Sequence, residues 1–377
     1  MVLLLHACIM GILDLYPFIK KHASSAIFNC QLNVLTNQRI GIDFNAFLYT
    51  RMFSLLKDNS EELLDDEVQM EIMIIKEIEK FVQNLQFYGI VPIFVIDGPP
   101  PKEKLAVADR KDRREKTRLE IKELEENITY VDSALAQQID ENDKQNEQQE
   151  KQNEENEKHE DNNIKISAEQ EEEYIRIFLY CKRRILYLRQ QTSSLPAYII
   201  DAAMNKLMED GLHVWKADTE ADTLLIGLAH QNIISYIATE DGDIIAGIPR
   251  HCSTVRQMFL NPNINQYITV YNKDLILKNL NVSYEQFIDM CILFGCDYLK
   301  RIPKCGPETI YKNLPKYETT ELFLRDKIFP TVKGWTLDQK EDYIKKITDY
   351  HFQFFHFDPA TVEVNQIQYQ KIKETFS

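Results

Sequence analysis

The sequence predicts an α/β fold in which a mostly parallel central sheet is flanked by helices. Three observations predict it. A short apolar run that ends in an acid and leads into a helical pattern occurs at Ile40–Asp43, again at Ile90–Asp97, and in looser form near Asp241. An amphipathic stretch, Glu67–Tyr88, with Met70, Ile74, Ile75, Ile78 and Val82 on one face, separates the first two runs. A hydrophobic fraction of 44% over 377 residues is enough to bury the core that such a sheet requires.

In chain order, Gly11–Lys21 reads as a turn and a short helix. After the Ile40–Ile42 strand, Phe44, Phe47, Leu48 and Phe53 continue at helical spacing. The strand Ile90–Ile96 ends in Asp97-Gly98-Pro99-Pro100-Pro101, where Gly and Pro force a loop. Lys102–Lys122 is a basic helix candidate carrying Lys104, Arg110, Lys111, Arg113, Arg114 and Lys116. From Tyr130 toward Lys165 the chain turns to Asn, Gln, Glu and Lys, a composition too polar to pack and expected to be disordered or fraying helix. Glu171–Arg189 returns to helical spacing, and His213–Lys216 supplies a short strand. The stretch Ala217–Asp243 reads as a helix bearing Leu224, Leu225 and Leu228, then a strand at Ile233–Ala238, then an acid-bearing loop. Tyr267–Tyr271 is a further strand and Ser283–Leu293 a helix. Two tight turns around Ile302–Pro307 then lead to another helical segment, and Thr336–Tyr350 is helical. A Gly-Pro that opens a helix exposes backbone N–H groups to an anion.

Seven cysteines, with no CxxC pair, argue for a reducing, intracellular compartment and against a disulfide framework or a zinc site. No run approaches the ~20 apolar residues of a membrane span, and the opening segment lacks the features of a signal peptide. The net charge of −15 is unevenly spread: Asp140–Asp161 holds ten acids against three lysines, a net of −7. Net charge therefore does not exclude a nucleic-acid partner for the basic stretch that precedes it.

The acids carry the chemistry. Glu220/Asp222 and Asp241/Asp243 are two pairs with one residue between members, placed at the ends of elements that fold back on each other. Carboxylates held close resist joint ionisation. A divalent cation with all-oxygen ligation, Mg²⁺ or Mn²⁺, is the usual remedy. The plain alternative for any one of them is an acid at a helix start or turn, where the dipole and solvent favour it.

Taken together these stretches resemble the flap endonuclease family of structure-specific 5′ nucleases, the xeroderma pigmentosum G-type superfamily. The residues that carry the resemblance are Met10-Gly11-Ile12, Gly41-Ile42-Asp43 with Tyr49, and Phe94-Val95-Ile96-Asp97-Gly98. The others are Glu220-Ala221-Asp222, Ala238-Thr239-Glu240-Asp241-Gly242-Asp243, and Leu293-Phe294-Gly295-Cys296-Asp297-Tyr298 with Gly306-Pro307. The resemblance covers about residues 10–314 apart from the acidic insert.

It implies a PIN-like 5′-nuclease core, a helical arch holding the acidic insert, and a helix-two-turn-helix. The implied organisation is an N-terminal nuclease region over 10–122, the insert over 123–166, an internal nuclease region with the helix-two-turn-helix over 167–314, and a C-terminal helical extension over 315–377. The implied activity is two-metal hydrolysis of DNA near a 5′ flap or end, in replication or repair. By resemblance, Asp43, Asp97 and Glu220 serve one Mg²⁺, with Mn²⁺ as a substitute, and Asp241, Asp243 and Asp297 serve the other, Asp222 lying between. Lys104 and Arg110 (or Lys111) would steer the scissile phosphate. Arg113, Arg114, Ile302, Lys304, Gly306 and Lys312 would contact DNA, with K⁺ a candidate cation at the helix-two-turn-helix. Tyr49 has two readings, a base-stacking residue or a packed core residue.

The chain departs from the family at Asp222, where Glu is common, at Lys304, where a turn Gly is usual, and at Glu308-Thr309, which replace basic residues. Gln370–Ser377 has Lys373 where a sliding-clamp motif needs an apolar residue. Residues before Met10 would crowd a terminus placed near the chemistry, so Met10 is the expected working start. The expected protein is a monomer, without a membrane partner, found in the nucleus or wherever DNA is replicated. A 5′ exonuclease or Holliday-junction resolvase of the same superfamily is the alternative enzyme. A catalytically idle nucleic-acid-binding scaffold is the alternative of another class.

Overall fold

The computed structural model describes residues 11–58, 66–99, 112, 114–131, 133, 168–259 and 267–351. Met10, Lys104, Arg110, Lys111, Arg113, residues 134–167 of the acidic insert and the tail from residue 352 lie outside the described residues. The chain divides into two compact units. One comprises Met1–Asp58, Asp66–Ala108 and Leu195–Ser377, and the other Asn59–Asp65 and Asp109–Ser194.

The elements in chain order are α1 (Leu15–His22), β1 (Ile27–Gln31), β2 (Arg39–Asp43), α2 (Phe44–Asp58), α3 (Glu67–Phe87) and β3 (Val91–Ile96). Helix α4 (residues 114–131) and α5 (Ala168–Thr192) follow and form the second unit. Then come α6 (Ala197–Glu209), β4 (His213–Lys216), α7 (Ala221–His230), β5 (Tyr236–Ala238), α8 (Asp243–Gly247), β6 (Ser253–Arg256) and β7 (Tyr267–Asn272). The chain continues through α9 (Lys273–Leu280), α10 (Tyr284–Phe294), α11 (Pro307–Asn313), α12 (Thr320–Phe323) and α13 (Leu337–Tyr350).

The sheet of the first unit runs β1-β7-β6-β5-β2-β3-β4. Strands β6, β5, β2, β3 and β4 pair in parallel, whereas β7 and β1 add an antiparallel edge. A parallel sheet covered on both faces needs apolar side chains in both directions, and β3 supplies them. Ile93 and Val95 pack with Trp215, Leu225, Ile234 and Ile237. Phe94 alternates to the aromatic group of Phe44, Phe47, Phe81 and Phe259, with ring centroids 4.6–6.0 Å apart. Gly41 in β2 lets Leu225 and Ile234 close on the backbone, since a Cβ there would lie 2.5 and 2.6 Å from them. Helices α1, α9, α10, α11, α12 and α13 share a second core around Phe18, Phe287, Phe294, Phe323 and Ile347.

The second unit is held by Leu124, Cys181, Ile185 and Leu188. The pairs Arg184–Glu120 at 2.7 Å and Arg189–Glu125 at 3.0 Å flank that contact. Helix α4 continues to residue 131, beyond the point where the low-complexity stretch was expected to begin, because Leu124 and Val131 are buried.

Several elements lack a sequence signal. Strand β1 has no apolar alternation, its burial running half-exposed, exposed, exposed, half-exposed, exposed. Strand β6 buries Ser253 and Thr254. Helix α6 hides part of its stripe in a small residue, Ala203, between Ile199 and Leu207. Strand β5 is three residues long, shorter than the expected Ile233–Ala238 run. Asp243 opens helix α8 where a loop was expected. Among the described residues no helix is long and apolar enough to cross a membrane.

Candidate functional site

The acids sit at element ends in the first unit. Asp43 closes β2, Asp97 follows β3, Glu220 caps α7 and Asp222 lies in its first turn. Asp241 follows β5, Asp243 begins α8, and Asp297 follows α10. Since β2, β3 and β5 are adjacent and parallel, their C-terminal ends lie on the same edge of the sheet, the edge where open α/β folds gather ligands.

Five of the seven carboxylates are tied by the protein itself. Asp43 accepts the Ala46 N–H at 3.0 Å through Oδ1 and the Thr239 hydroxyl at 2.8 Å through Oδ2. Asp97 Oδ1 accepts the Ala221 N–H at 2.7 Å, while Gly98 N–H donates to the Thr219 carbonyl, so residues 97–98 and 219–221 grip each other twice. Tyr298 OH donates to Glu220 Oε2 at 2.8 Å. Asp241 Oδ1 accepts the Asp243 N–H at 3.0 Å, and Asp243 Oδ1 accepts the Ile12 N–H at 2.6 Å. Gly11 lies so close that a Cβ would stand 2.7 Å from Asp241 Oδ1.

The acids feel one another. Burial and the nearby Asp97 charge push Asp43 up to about 7, against the pull of the Ala46 and Thr239 hydrogen bonds. Burial pushes Asp222 well above the usual carboxylate range, and Asp241, Asp43, Asp97 and Asp243 all add to the rise. Asp297 is buried, 5% exposed, between Cys296 and Tyr298. Burial pushes the Cys296 thiol up to about 12, with added contributions from Asp243 and Asp297. The Tyr298 phenol is raised by burial and then by Glu220, Asp243 and Asp222.

The donor set is entirely carboxylate oxygen, which suits a hard cation. Mutual repulsion of the kind seen at Asp222 is what such a cation relieves. Among the described residues no three acid, imidazole or thiol groups already stand at metal-holding distance from one another. Asp43, Asp97, Glu220, Asp241 and Asp243 are held by the hydrogen bonds above. The residues fit divalent ions in donor chemistry and electrostatics.

Gly98 makes a close approach to the 217–219 backbone. A Cβ there would sit 2.3 Å from the Ala217 carbonyl oxygen and 2.7 Å from that of Thr219, both rigid backbone. Gly98→Ala is expected to cost about 1–3 kcal/mol, measured by urea denaturation, and to loosen the Asp97–Ala221 bond.

Tyr49 is half-buried on α2, its ring centroid 6.4 Å from that of Phe53. Arg114 and Lys312 are exposed. Ile302 is 1% exposed, so only its main chain is open to a ligand. Gly306 caps α11 with open space where a Cβ would go. Between α10 and α11 the Cys296 N–H bonds the Leu299 carbonyl and the Cys305 N–H bonds the Ile302 carbonyl, giving the two turns. Lys304 holds φ 64° in the second of them. A residue with a Cβ pays about 1–2 kcal/mol in that left-handed region. Lys304→Gly is expected to raise stability by about 1 kcal/mol, read from the denaturation midpoint. Glu308, an acid where basic residues were expected, is met by Lys21 at 2.5 Å and His22 at 2.7 Å, which hold its carboxyl down at about 2.

The sequence reading did not single out the groups that orient the acids: Thr239, Ile12, Ala46 and the Tyr298 hydroxyl. Nor did it notice Tyr16, whose hydroxyl donates to the Asp241 carbonyl at 3.0 Å under the Arg256 guanidinium, 3.8 Å from the ring centroid. Thr239 and Tyr298 lie inside the acid-bearing motifs and were the available signals.

The XPG N-terminal domain matches residues 10–121 and the XPG I-region matches residues 211–297. The chain is 25% identical over 325 residues to flap endonuclease 1 of Theileria annulata, covering 84% of this chain and 52% of that protein. It is 26% identical over 324 residues to flap endonuclease 1 of Cryptosporidium muris (strain RN66), covering 84% of this chain and 58% of that protein. The chain thus spans little more than half the length of these relatives. The catalytic core of Rad2 in complex with DNA substrate superposes with a TM-score of 0.54 at 16% identity, covering 97% of this chain and 95% of that one, a likeness of fold.

Proposed function

The chain belongs to the XPG-type flap endonuclease family, and from that membership we propose that it is a structure-specific 5′ flap endonuclease acting on DNA in replication or repair. The observation that carries the proposal is the set of like-charged carboxylates around Asp222, drawn from Asp43, Asp97, Asp241 and Asp243 and each raising its affinity for a proton. Members of this family are metal-dependent. We assign Mg²⁺, with Asp43, Asp97 and Glu220 toward one ion and Asp241, Asp243 and Asp297 toward a second, Asp222 between them. When bound, such ions neutralise charge at the scissile phosphate and acidify water for in-line attack.

The residues of the chain do the positioning. Ala46 and Thr239 fix both oxygens of Asp43, so its carboxylate cannot rotate freely. Ala221 and Tyr298 each hold one oxygen, of Asp97 and Glu220 respectively, and Ile12 holds one of Asp243. Preorganised groups of this kind cost no rearrangement when the reaction occurs. Lys104 and Arg110 (or Lys111) are assigned to charge relief at the phosphate. Arg113, Arg114, Lys304, Gly306 and Lys312, the main chain at Ile302, and Tyr49 are assigned to DNA, with K⁺ at the two turns.

The test is cleavage of end-labelled flap, nicked, gapped and Holliday-junction DNA in Mg²⁺ beside Asp243→Ala. Cleavage at the flap junction, lowered by more than about 10²-fold in Asp243→Ala, is expected. A ladder from the 5′ end with no junction cut would instead make the protein an exonuclease, and unchanged activity in Asp243→Ala would remove the metal assignment.

A further inference from the structure

Lys273 is a charged residue with no exposed surface, at the first position of α9. That position is a poor one for a cation, because a helix N-terminus carries partial positive charge. Its side chain leaves its own helix and reaches the opposite kind of terminus. Lys273 Nζ donates to the Ile245 carbonyl at 2.6 Å and to the Ala246 carbonyl at 2.9 Å, the last turn of α8. The next carbonyl, that of Gly247, accepts the Tyr284 hydroxyl at 2.6 Å, and His230 Nε2 stands 3.0 Å from the same oxygen. The ammonium also lies 4.1 Å from the Phe287 ring centroid and 4.9 Å from that of Tyr284, so aromatic faces receive the charge that water does not.

Helix α8 is only five residues long. A helix that short leaves its terminal carbonyls without partners inside the helix and needs them supplied from outside. Its other end belongs to the acid cluster. The Asp243 carboxylate accepts from Ile12, and the Asp243 N–H donates to Asp241 Oδ1. Gly247, at the capped end, is packed so tightly that a Cβ would meet Ile226 at 2.5 Å. The helix is therefore a short rigid lever, anchored at its carbonyl end, bearing Asp243 at its amide end and joined there to Asp241 through the Asp243 N–H.

We propose that Lys273, with Tyr284, is a positioning residue for the divalent-ion site: it clamps the C-terminal end of α8 and thereby fixes where Asp241 and Asp243 stand. The inference rests on the assignment of those acids as ion ligands. Lys273 acts through the helix and touches neither ion nor DNA. Partners that orient metal ligands from behind change affinity by about 10–100-fold when removed. A residue that only contributes to folding lowers the melting temperature and leaves ion affinity in the folded protein unchanged.

The experiment is Mn²⁺ binding to the full chain without DNA, followed by electron paramagnetic resonance, with melting temperature recorded on the same samples. Lys273→Met keeps the length of the side chain and removes its donors; it is expected to weaken Mn²⁺ binding about tenfold while the protein remains folded. Tyr284→Phe, which deletes a single hydroxyl at the same helix end, is expected to weaken it about threefold. Unaltered Mn²⁺ affinity in folded Lys273→Met overturns the proposal. Should that variant not fold, unaltered affinity in Tyr284→Phe overturns it. If the unsubstituted protein takes up no Mn²⁺, the ion-site assignment falls first and this inference with it, a result distinct from loss confined to the variants.

Discussion

Asp222→Asn is expected to unfold at a higher temperature than the unsubstituted protein in metal-free buffer at pH 7, and to lose cleavage of flap DNA. The two effects have one cause. Asp222 is held by burial and four neighbouring acids in a state that binds a proton more tightly than an unfolded carboxylate does. Between the ordinary carboxylate range and that raised value the native state binds more protons than the unfolded one, so stability falls as pH rises. An amide of the same shape does not ionise and is spared this loss. The expected gain is about 1–2 kcal/mol, the usual scale when a functional site's strain is relieved, and several degrees in melting temperature. It should shrink toward acid pH, where the carboxyl is protonated in both states. Adding Mg²⁺ should reverse the order, stabilising the unsubstituted protein more than Asp222→Asn, because a ligand that binds only the native state stabilises by mass action. Thermal melts at several pH values, with and without Mg²⁺, decide it. No gain without Mg²⁺ would show that the acids do not repel one another as described.

The second large effect concerns pH and Lys273. Burial lowers the Lys273 ammonium to about 7, opposed by Cys291 and assisted by Arg250. The unfolded chain keeps that proton up to the ordinary lysine value of 10.5. Between these values the unfolded state binds more protons than the native state, so this residue makes stability increase as pH rises from about 7 toward 10. The slope from one such proton is at most about 1.4 kcal/mol per pH unit. The neutral amine still has two hydrogens for the Ile245 and Ala246 carbonyls, so the clamp survives deprotonation. Other groups titrate in that range, and the comparison with Lys273→Met isolates this one. The unsubstituted protein should gain on the variant across that window in urea denaturation at pH 7 to 9.5, and parallel curves would exclude the depressed lysine.

Much of this architecture is legible in the residue pattern alone. Strands β2 and β3 announced themselves because buried parallel strands are nearly all apolar, and each ended in an acid followed by a break or a helix. Ser283–Leu293 read as a helix from its apolar spacing, and the structure opens α10 there with a capping box of Ser283 and Gln286. Strands β1 and β6 were invisible for the converse reason. One is an exposed edge and the other buries Ser253 and Thr254, so neither shows period-two hydrophobicity. The acids were legible as residue types at element ends, and Asp43, Asp97, Asp222, Asp241 and Asp243 lie in mutual electrostatic range. Their hydrogen-bond partners were not legible. Ala46 and Ile12 act through backbone amides, which any residue could supply, and the Tyr298 hydroxyl finds Glu220 from 78 positions away. Lys273 was hidden most completely, since a buried lysine leaves no periodic trace and its partners are main-chain carbonyls.

The edge of the sheet imposes an order on biosynthesis. Strand β1 pairs with β7 in a register that sets Ile27 opposite Tyr271, so the early strand waits at the ribosome for a partner made some 240 residues later. Loop closure over such a span is slow compared with helix formation, and until it occurs Phe28 and its neighbours present an unmatched border to other nascent chains. Asp297 emerges later still. A product truncated before Asp297 therefore carries six of the seven acids and lacks the last, so under the proposed function activity is expected only of chains whose synthesis has passed well beyond the seventh strand.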